Sequence, residues 1–138
     1  MSQENRPWRR LVFAAWAVFA VSFVLPAYVQ GSSELGWEAF LNALLFGEMT
    51  GRVSAATNLL VLASLATLRA KWTQSRLVGG RWLPLVVGGA GVLNLVYWPI
   101  WVADSNSVEG LLAGYWLWAA SFLGVALGLW MLSSKRQM

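Results

Sequence analysis

Residues 83–103 read LPLVVGGAGVLNLVYWPIWVA, a run without Asp, Glu, Lys or Arg, and its length decides the fold class. The hydrocarbon core of a bilayer is roughly 30 Å thick, and a helix needs about 20 apolar residues to cross it. Outward from this run, three further apolar stretches stand at residues 11–29, 53–68 and 110–132. The pattern predicts an all-α membrane protein, a four-transmembrane-helix bundle forming one integral membrane domain over residues 1–138. The stretch between Arg52 and Arg69 is the short one, about 16 residues or roughly 24 Å as helix, so both arginines are expected to snorkel outward.

Composition agrees with lipid as the solvent. The chain is 58% hydrophobic and 12% charged and contains ten Trp, whereas soluble domains carry about 25% charged residues. Cys and His are both absent. That excludes thiol nucleophiles, disulfides, haem ligation and nearly all zinc, copper or nickel sites, so no cofactor or metal is expected. It also excludes the four-span thiol-disulfide oxidoreductases, whatever their helix count.

The net charge of +4 is distributed by topology and does not form a nucleic-acid face. Arg6, Arg9 and Arg10 precede the first stretch, Arg69, Lys71, Arg76 and Arg81 lie between the second and third, and Lys135 and Arg136 follow the fourth. These segments all fall on one side, with Arg52 the exception, while Glu34, Glu38, Glu48, Asp104 and Glu109 fall on the other. Excess Lys and Arg in short loops marks the cytoplasmic side. The expected location is therefore an inner (cytoplasmic) membrane, multi-pass, with both termini cytoplasmic. Indoles favour the headgroup level, and the Trp positions agree. Trp8, Trp72, Trp82 and Trp130 fall at the inner boundary; Trp37, Trp98, Trp101, Trp116 and Trp118 fall at or near the outer one; Trp16 sits at mid-depth. A rival reading takes residues 1–31 as a signal peptide cleaved after Val29-Gln30-Gly31.

Along the chain, Pro26 is expected to kink or end the first helix, placing its end near Tyr28. Gln30-Gly31-Ser32-Ser33 reads as a turn, and Ser33-Glu34 as a helix start. From Glu34 to Phe46, Glu34, Glu38 and Asn42 recur every four residues among apolar neighbours, which predicts a short amphipathic helix on the outer membrane surface or folded over the bundle, closed at Gly47. The third span opens at Pro84 and is expected to close near Pro99, and its Gly88-Gly89-Ala90-Gly91 cluster permits close backbone approach. In the fourth, Gly110, Gly114, Ser121, Gly124 and Gly128 fall on one line at about 100° per residue. They form a candidate helix-packing seam, with Tyr115, Trp116, Trp118, Phe122 and Trp130 over the remaining faces and most of them expected to face lipid or headgroups.

The chemistry-bearing candidates are few. Asn58 and Asn94 are the most polar residues inside the spans, both in the outer half, and with Tyr115 or Ser22 nearby they would make a neutral hydrogen-bonding pocket suited to a lipid headgroup, quinone or sugar. The competing and simpler reading is an interhelical hydrogen bond that fixes helix position, about 0.6–2 kcal/mol. The outer acids are most simply solvated topology signals, since no metal-ligand spacing or calcium loop accompanies them. No ionisable residue occupies the middle of a span, where transport chemistry usually places one. The small multidrug resistance transporters, four-span chains of similar length, depend on an intramembrane carboxylate that is absent here.

The strings Leu25-Pro26-Ala27-Tyr28, Gly36-Trp37-Glu38-Ala39-Phe40 and Gly114-Tyr115-Trp116-Leu117-Trp118, in this order, resemble a loose group of small four-span bacterial inner-membrane proteins that carry no assigned activity. The likeness spans most of the chain and implies a bacterial, four-span membrane protein without implying any functional residue. Residues and resemblance together lead to the expectation of a non-catalytic accessory or structural membrane protein. Its expected partners are the lipid bilayer and either a membrane-protein complex or a second copy, met through the fourth span or the surface helix. The alternative from a different class is a small carrier or flippase subunit for a lipid-linked or apolar solute.

Overall fold

The computed structural model describes residues 6–68 and 82–134. The basic loop expected between the second and third spans, and Lys135 and Arg136, lie outside the described residues. The order of elements is α1 (Arg6–Ser22), β1 (Pro26–Gln30), β2 (Ser32–Leu35), α2 (Gly36–Leu45), α3 (Met49–Ala56), α4 (Asn58–Leu68), α5 (Trp82–Asp104), β3 (Gly110–Leu111) and α6 (Ala113–Ser134). The chain is mostly helical, and two helices, α5 and α6, are long and apolar enough to cross a membrane. Four such helices are not present among the described residues, because the first and second apolar stretches are divided differently from the expectation.

The first stretch leaves the helix at Ser22 rather than near Tyr28. Pro26 is the cause, since a proline ring collides with the carbonyl four residues earlier, which here belongs to Ser22. Beyond Ser22 the chain turns, with Phe23 N–H bonded to Ala20 O at 3.3 Å and Val24 N–H to Val21 O at 3.1 Å. It then runs as β1 and returns as β2 through Gly31, whose φ of +73° is a conformation that residues with a Cβ rarely adopt. β1 is the centre of a three-stranded antiparallel sheet ordered β2-β1-β3, with Gln30 opposite Ser32 on one side and Val29 opposite Gly110 on the other. This sheet was not expected. The apolar residues that compose β1 read equally well as the last turn of a spanning helix.

The helix expected from Glu34 begins at Gly36, so Glu34 belongs to β2 and Ser33 is not its cap. Two N–H groups of its first turn, on Gly36 and Trp37, donate to Leu25 O at 2.9 Å and Phe23 O at 3.0 Å. A Cβ at Gly36 would collide with the Ser22 carbonyl, so this join between α1 and α2 requires glycine. Glu38 completes the helix start by accepting the Leu35 N–H at 2.9 Å.

The second stretch begins earlier than expected, at Met49, and is interrupted at Thr57. The 8 residues of α3 and the 11 of α4 together reach roughly 30 Å. Arg52 therefore lies inside α3, and its guanidinium turns back to the carbonyls of Gly47, at 3.0 Å, and Leu45, at 3.5 Å, at the end of α2. Pro99 does not close α5, which continues to Asp104.

α6 is the central helix, flanked by α1 and α5, and the core is built where they meet from Val12, Phe19, Val61, Val87, Phe122 and Val125. The small residues of α6 make the approach of α1 feasible. A Cβ on Gly124 would stand 2.9 Å from that of Ala15, one on Gly128 would collide with the Val12 side chain, and one on Gly114 would lie 2.6 Å from Pro26 O. On the other flank Gly91 of α5 makes room for Phe122. Ser121 is buried, but Gly110 lies outside the helix in β3 with open space around it, so the seam is shorter by its first member. Tyr115 and Phe122 are buried rather than facing lipid, because α6 is covered on two sides and not one.

Candidate functional site

The sheet, α2 and the adjoining ends of α1, α3, α4, α5 and α6 line a partly open cavity of about 480 Å³. It lies at the end of the molecule that carries Glu34, Glu38, Glu48, Asp104 and Glu109. Ser22, Asn58 and Tyr115, three of the four polar residues singled out from the sequence, line it; Asn94 does not.

Asn94 instead works behind the wall. It is 1% exposed, and its side chain is fully engaged. The carbonyl oxygen Oδ1 accepts from Ser54 Oγ at 2.6 Å, while Nδ2 donates to Thr57 Oγ1 at 3.1 Å and to Ala90 O at 2.9 Å. Ser54 Oγ also accepts from the Trp98 indole at 2.9 Å. These bonds hold α5 against the α3–α4 break. The backbone carbonyl of Asn94 accepts the Tyr115 hydroxyl at 2.9 Å. This carbonyl lies one residue before that of Leu95, which Pro99 deprives of its helical donor.

Asn58 acts on the same break from the other side. Its Oδ1 accepts the Trp118 indole N–H at 2.7 Å, and its Nδ2 donates to Ala55 O at 2.8 Å, a carbonyl near the end of α3. The two asparagines do not bond to each other. Between them they tie α3–α4 to α5 and α6, while the Trp16 indole ties α1 to α4 through Val61 O at 3.2 Å and Ser64 Oγ at 3.4 Å. Ser22, buried in the lining, donates its hydroxyl to Phe19 O at 2.6 Å within α1.

The remaining lining is aromatic with polar hydroxyls at the rim. Tyr97, Trp98 and Trp101 stand edge-to-face in sequence, with centroids 5.4 and 5.3 Å apart, and Tyr97 shares a hydrogen bond of 2.8 Å with Thr50. On the sheet side, Tyr28 donates to Glu34 Oε2 at 2.7 Å, and Asn42 donates to the same oxygen at 2.9 Å. Burial and this carboxylate partner push the Tyr28 phenol above its ordinary value of 10.0, so it remains a donor at neutral pH. Glu48 also lines the cavity; it stands at the N-cap of α3, yet its side chain makes no capping hydrogen bond. Among the described residues no group of His, Cys, Asp and Glu side chains is placed to hold a metal ion.

Sequence reasoning missed the aromatic wall and the sheet that covers it. The signal was present in Tyr97-Trp98 and Trp101 at helical spacing, but such rings near a span end also fit a headgroup belt. No family model, curated protein or solved structure matches the chain.

Proposed function

We propose that this chain is a small, non-catalytic, multi-pass protein of a bacterial cytoplasmic membrane, and that its outer-half cavity binds an amphipathic molecule. The cavity carries this reading. It is large enough for a lipid headgroup or a comparable small molecule, its wall mixes aromatic faces with a few polar groups, and it lies at the acidic end of the bundle. Membrane residence is supported by where the apolar side chains lie. In the most apolar windows of α5 and α6 only 22% and 39% of residues are buried, whereas a core helix of a soluble protein would be largely covered. Leu85, Val92, Leu93, Val96 and Ile100 project outward from α5 without a partner. In this reading α1 and the α3–α4 pair also cross, giving four passages, with the basic ends cytoplasmic.

The test is native mass spectrometry of the protein extracted in a mild detergent, compared with an Ala43→Trp variant that fills the cavity from α2. Retention of one small molecule or lipid per chain by the natural protein, lost in the variant at unchanged helicity, is the expected result. Equal retention by both, or by neither, contradicts the reading.

The accessory-subunit reading is favoured by a separate observation. The corner between α2 and α3 exposes Leu45, Phe46 and Met49, with Phe46 81% exposed. A partner in the membrane would cover this corner rather than the α6 glycines, whose near side α1 already occupies. Stoichiometric co-purification of another membrane protein, abolished by Phe46→Ser, would favour it over the cavity.

A further inference from the structure

The charges around the cavity restrict its occupant further. Glu48 is the acidic residue of the lining, and none of the lining residues is basic. Glu34 stands directly behind the wall, bonded to the lining residues Tyr28 and Asn42. Glu38, Asp104 and Glu109 belong to the same end of the molecule. Among the described residues that end carries one cation, Arg52, and its guanidinium is directed to the carbonyls of Gly47 and Leu45. A cleft with low-dielectric walls concentrates such a field, so an anion entering it meets repulsion and finds no lining cation to offset it. A positive group is drawn in.

The rings supply the second, independent half of the argument. Tyr97, Trp98 and Trp101 succeed one another at interplanar angles of 76° and 80°, and Tyr115 and Trp118 on α6 are tilted at 46° with centroids 6.0 Å apart. Turned edge-to-face, successive rings present their faces in different directions, as a cage does. Aromatic faces are the negative pole of the ring quadrupole and hold ammonium groups, best when these are weakly hydrated. We infer that the cavity receives an organic cation, an ammonium group carried on an apolar body, with the ammonium held between the aromatic wall and Glu48. This rests on the cavity being a ligand site, and it names the chemistry of that ligand. The ammonium belongs either to a lipid headgroup or to a free apolar amine.

The test uses the full chain in phosphatidylglycerol nanodiscs, which contain no ammonium group, with tryptophan fluorescence as the readout. Two probes of equal shape are titrated: benzyltrimethylammonium and its uncharged carbon isostere, neopentylbenzene. The expected result is saturable binding of the cation about tenfold tighter than the isostere, of the order that ring faces and a nearby carboxylate together give. Glu48→Gln and Trp101→Leu, both at exposed positions, are expected to remove most of that preference in the same nanodiscs, which cancels simple partitioning into anionic lipid. Exchange of phosphatidylglycerol for phosphatidylethanolamine assigns the source when affinity is read relative to Glu48→Gln in the same lipid, which cancels the change in surface charge: the natural protein's advantage over the variant shrinks if a lipid ammonium competes and holds if the ligand is a free amine. Saturable binding of both probes with equal affinity overturns the cation and leaves the ligand site. A preference unchanged by Glu48→Gln and Trp101→Leu overturns the proposed cage, and no saturable binding of either probe overturns the ligand site itself.

Discussion

Two asparagines with the same sequence signature do different work. Asn94 uses its amide to join Ser54, Thr57 and Ala90, so Asn94→Leu leaves the buried Ser54 O–H without its acceptor, while the Thr57 hydroxyl keeps its bond to Ser54 O. The expected loss is about 1–3 kcal/mol, from the penalty of leaving such a group without its partner, read as a lowered melting temperature in detergent. Asn58→Leu removes a single interhelical bond, from Trp118, worth about 0.6–2 kcal/mol. It is therefore expected to be the milder of the two in stability and the stronger in ligand retention, since Asn58 lines the cavity. Tyr28 gives a pH signature. Its folded-state pKa is raised, so the stability it contributes is fully present below about pH 10 and is lost as the pH rises through the higher folded value. Tyr28→Phe is expected to flatten the alkaline limb of a stability profile and leave the neutral region level; an unchanged alkaline limb would remove Tyr28 from the account.

At the scale of the element, the glycines separate into those that admit a neighbour and those that do not. Gly128→Leu drives a side chain into Val12 of α1, an overpacking expected to cost about 1–3 kcal/mol or more. Gly89→Ala, with nothing within 4 Å of the added Cβ, is expected to stabilise α5 by about 0.4–1 kcal/mol through the unfolded chain. Thermal melts of the two variants should move in opposite directions. Much of this level was legible in the sequence: the small-residue line along α6, the close-approach cluster in α5, the turn at Gly31 and a short helix after it, though the acid of its first turn is Glu38 and not the expected Glu34. The end of α1 was legible too, had the proline rule been applied to the carbonyl four residues back, at Ser22. The sheet was not, because Ala27, Tyr28 and Val29 satisfy a lipid-facing helix and a strand equally, and the choice depends on pairing with Gly110 and Leu111 far along the chain. Nor was the inward direction of Tyr115 and Phe122, which follows from α6 having neighbours on two flanks.

At the scale of the molecule, the cavity is a product of assembly, since its wall draws residues from the sheet and from helices remote from one another in sequence. Polar residues inside apolar runs announced only that something would bond there. The assembly also places the hairpin, the α2–α3 corner and the β3 loop at one end, together with every acid of the described chain. On the proposed topology this end faces outward from a bundle that crosses the membrane four times. The chain has no Cys, so single cysteines can be introduced without background. Gln30→Cys, Ser107→Cys and Ser134→Cys are labelled in intact cells with a membrane-impermeant maleimide and again after lysis. The account predicts labelling of positions 30 and 107 from outside and of position 134 only after lysis. Protection of 30 or 107 in intact cells, or labelling of 134 from outside, would contradict it.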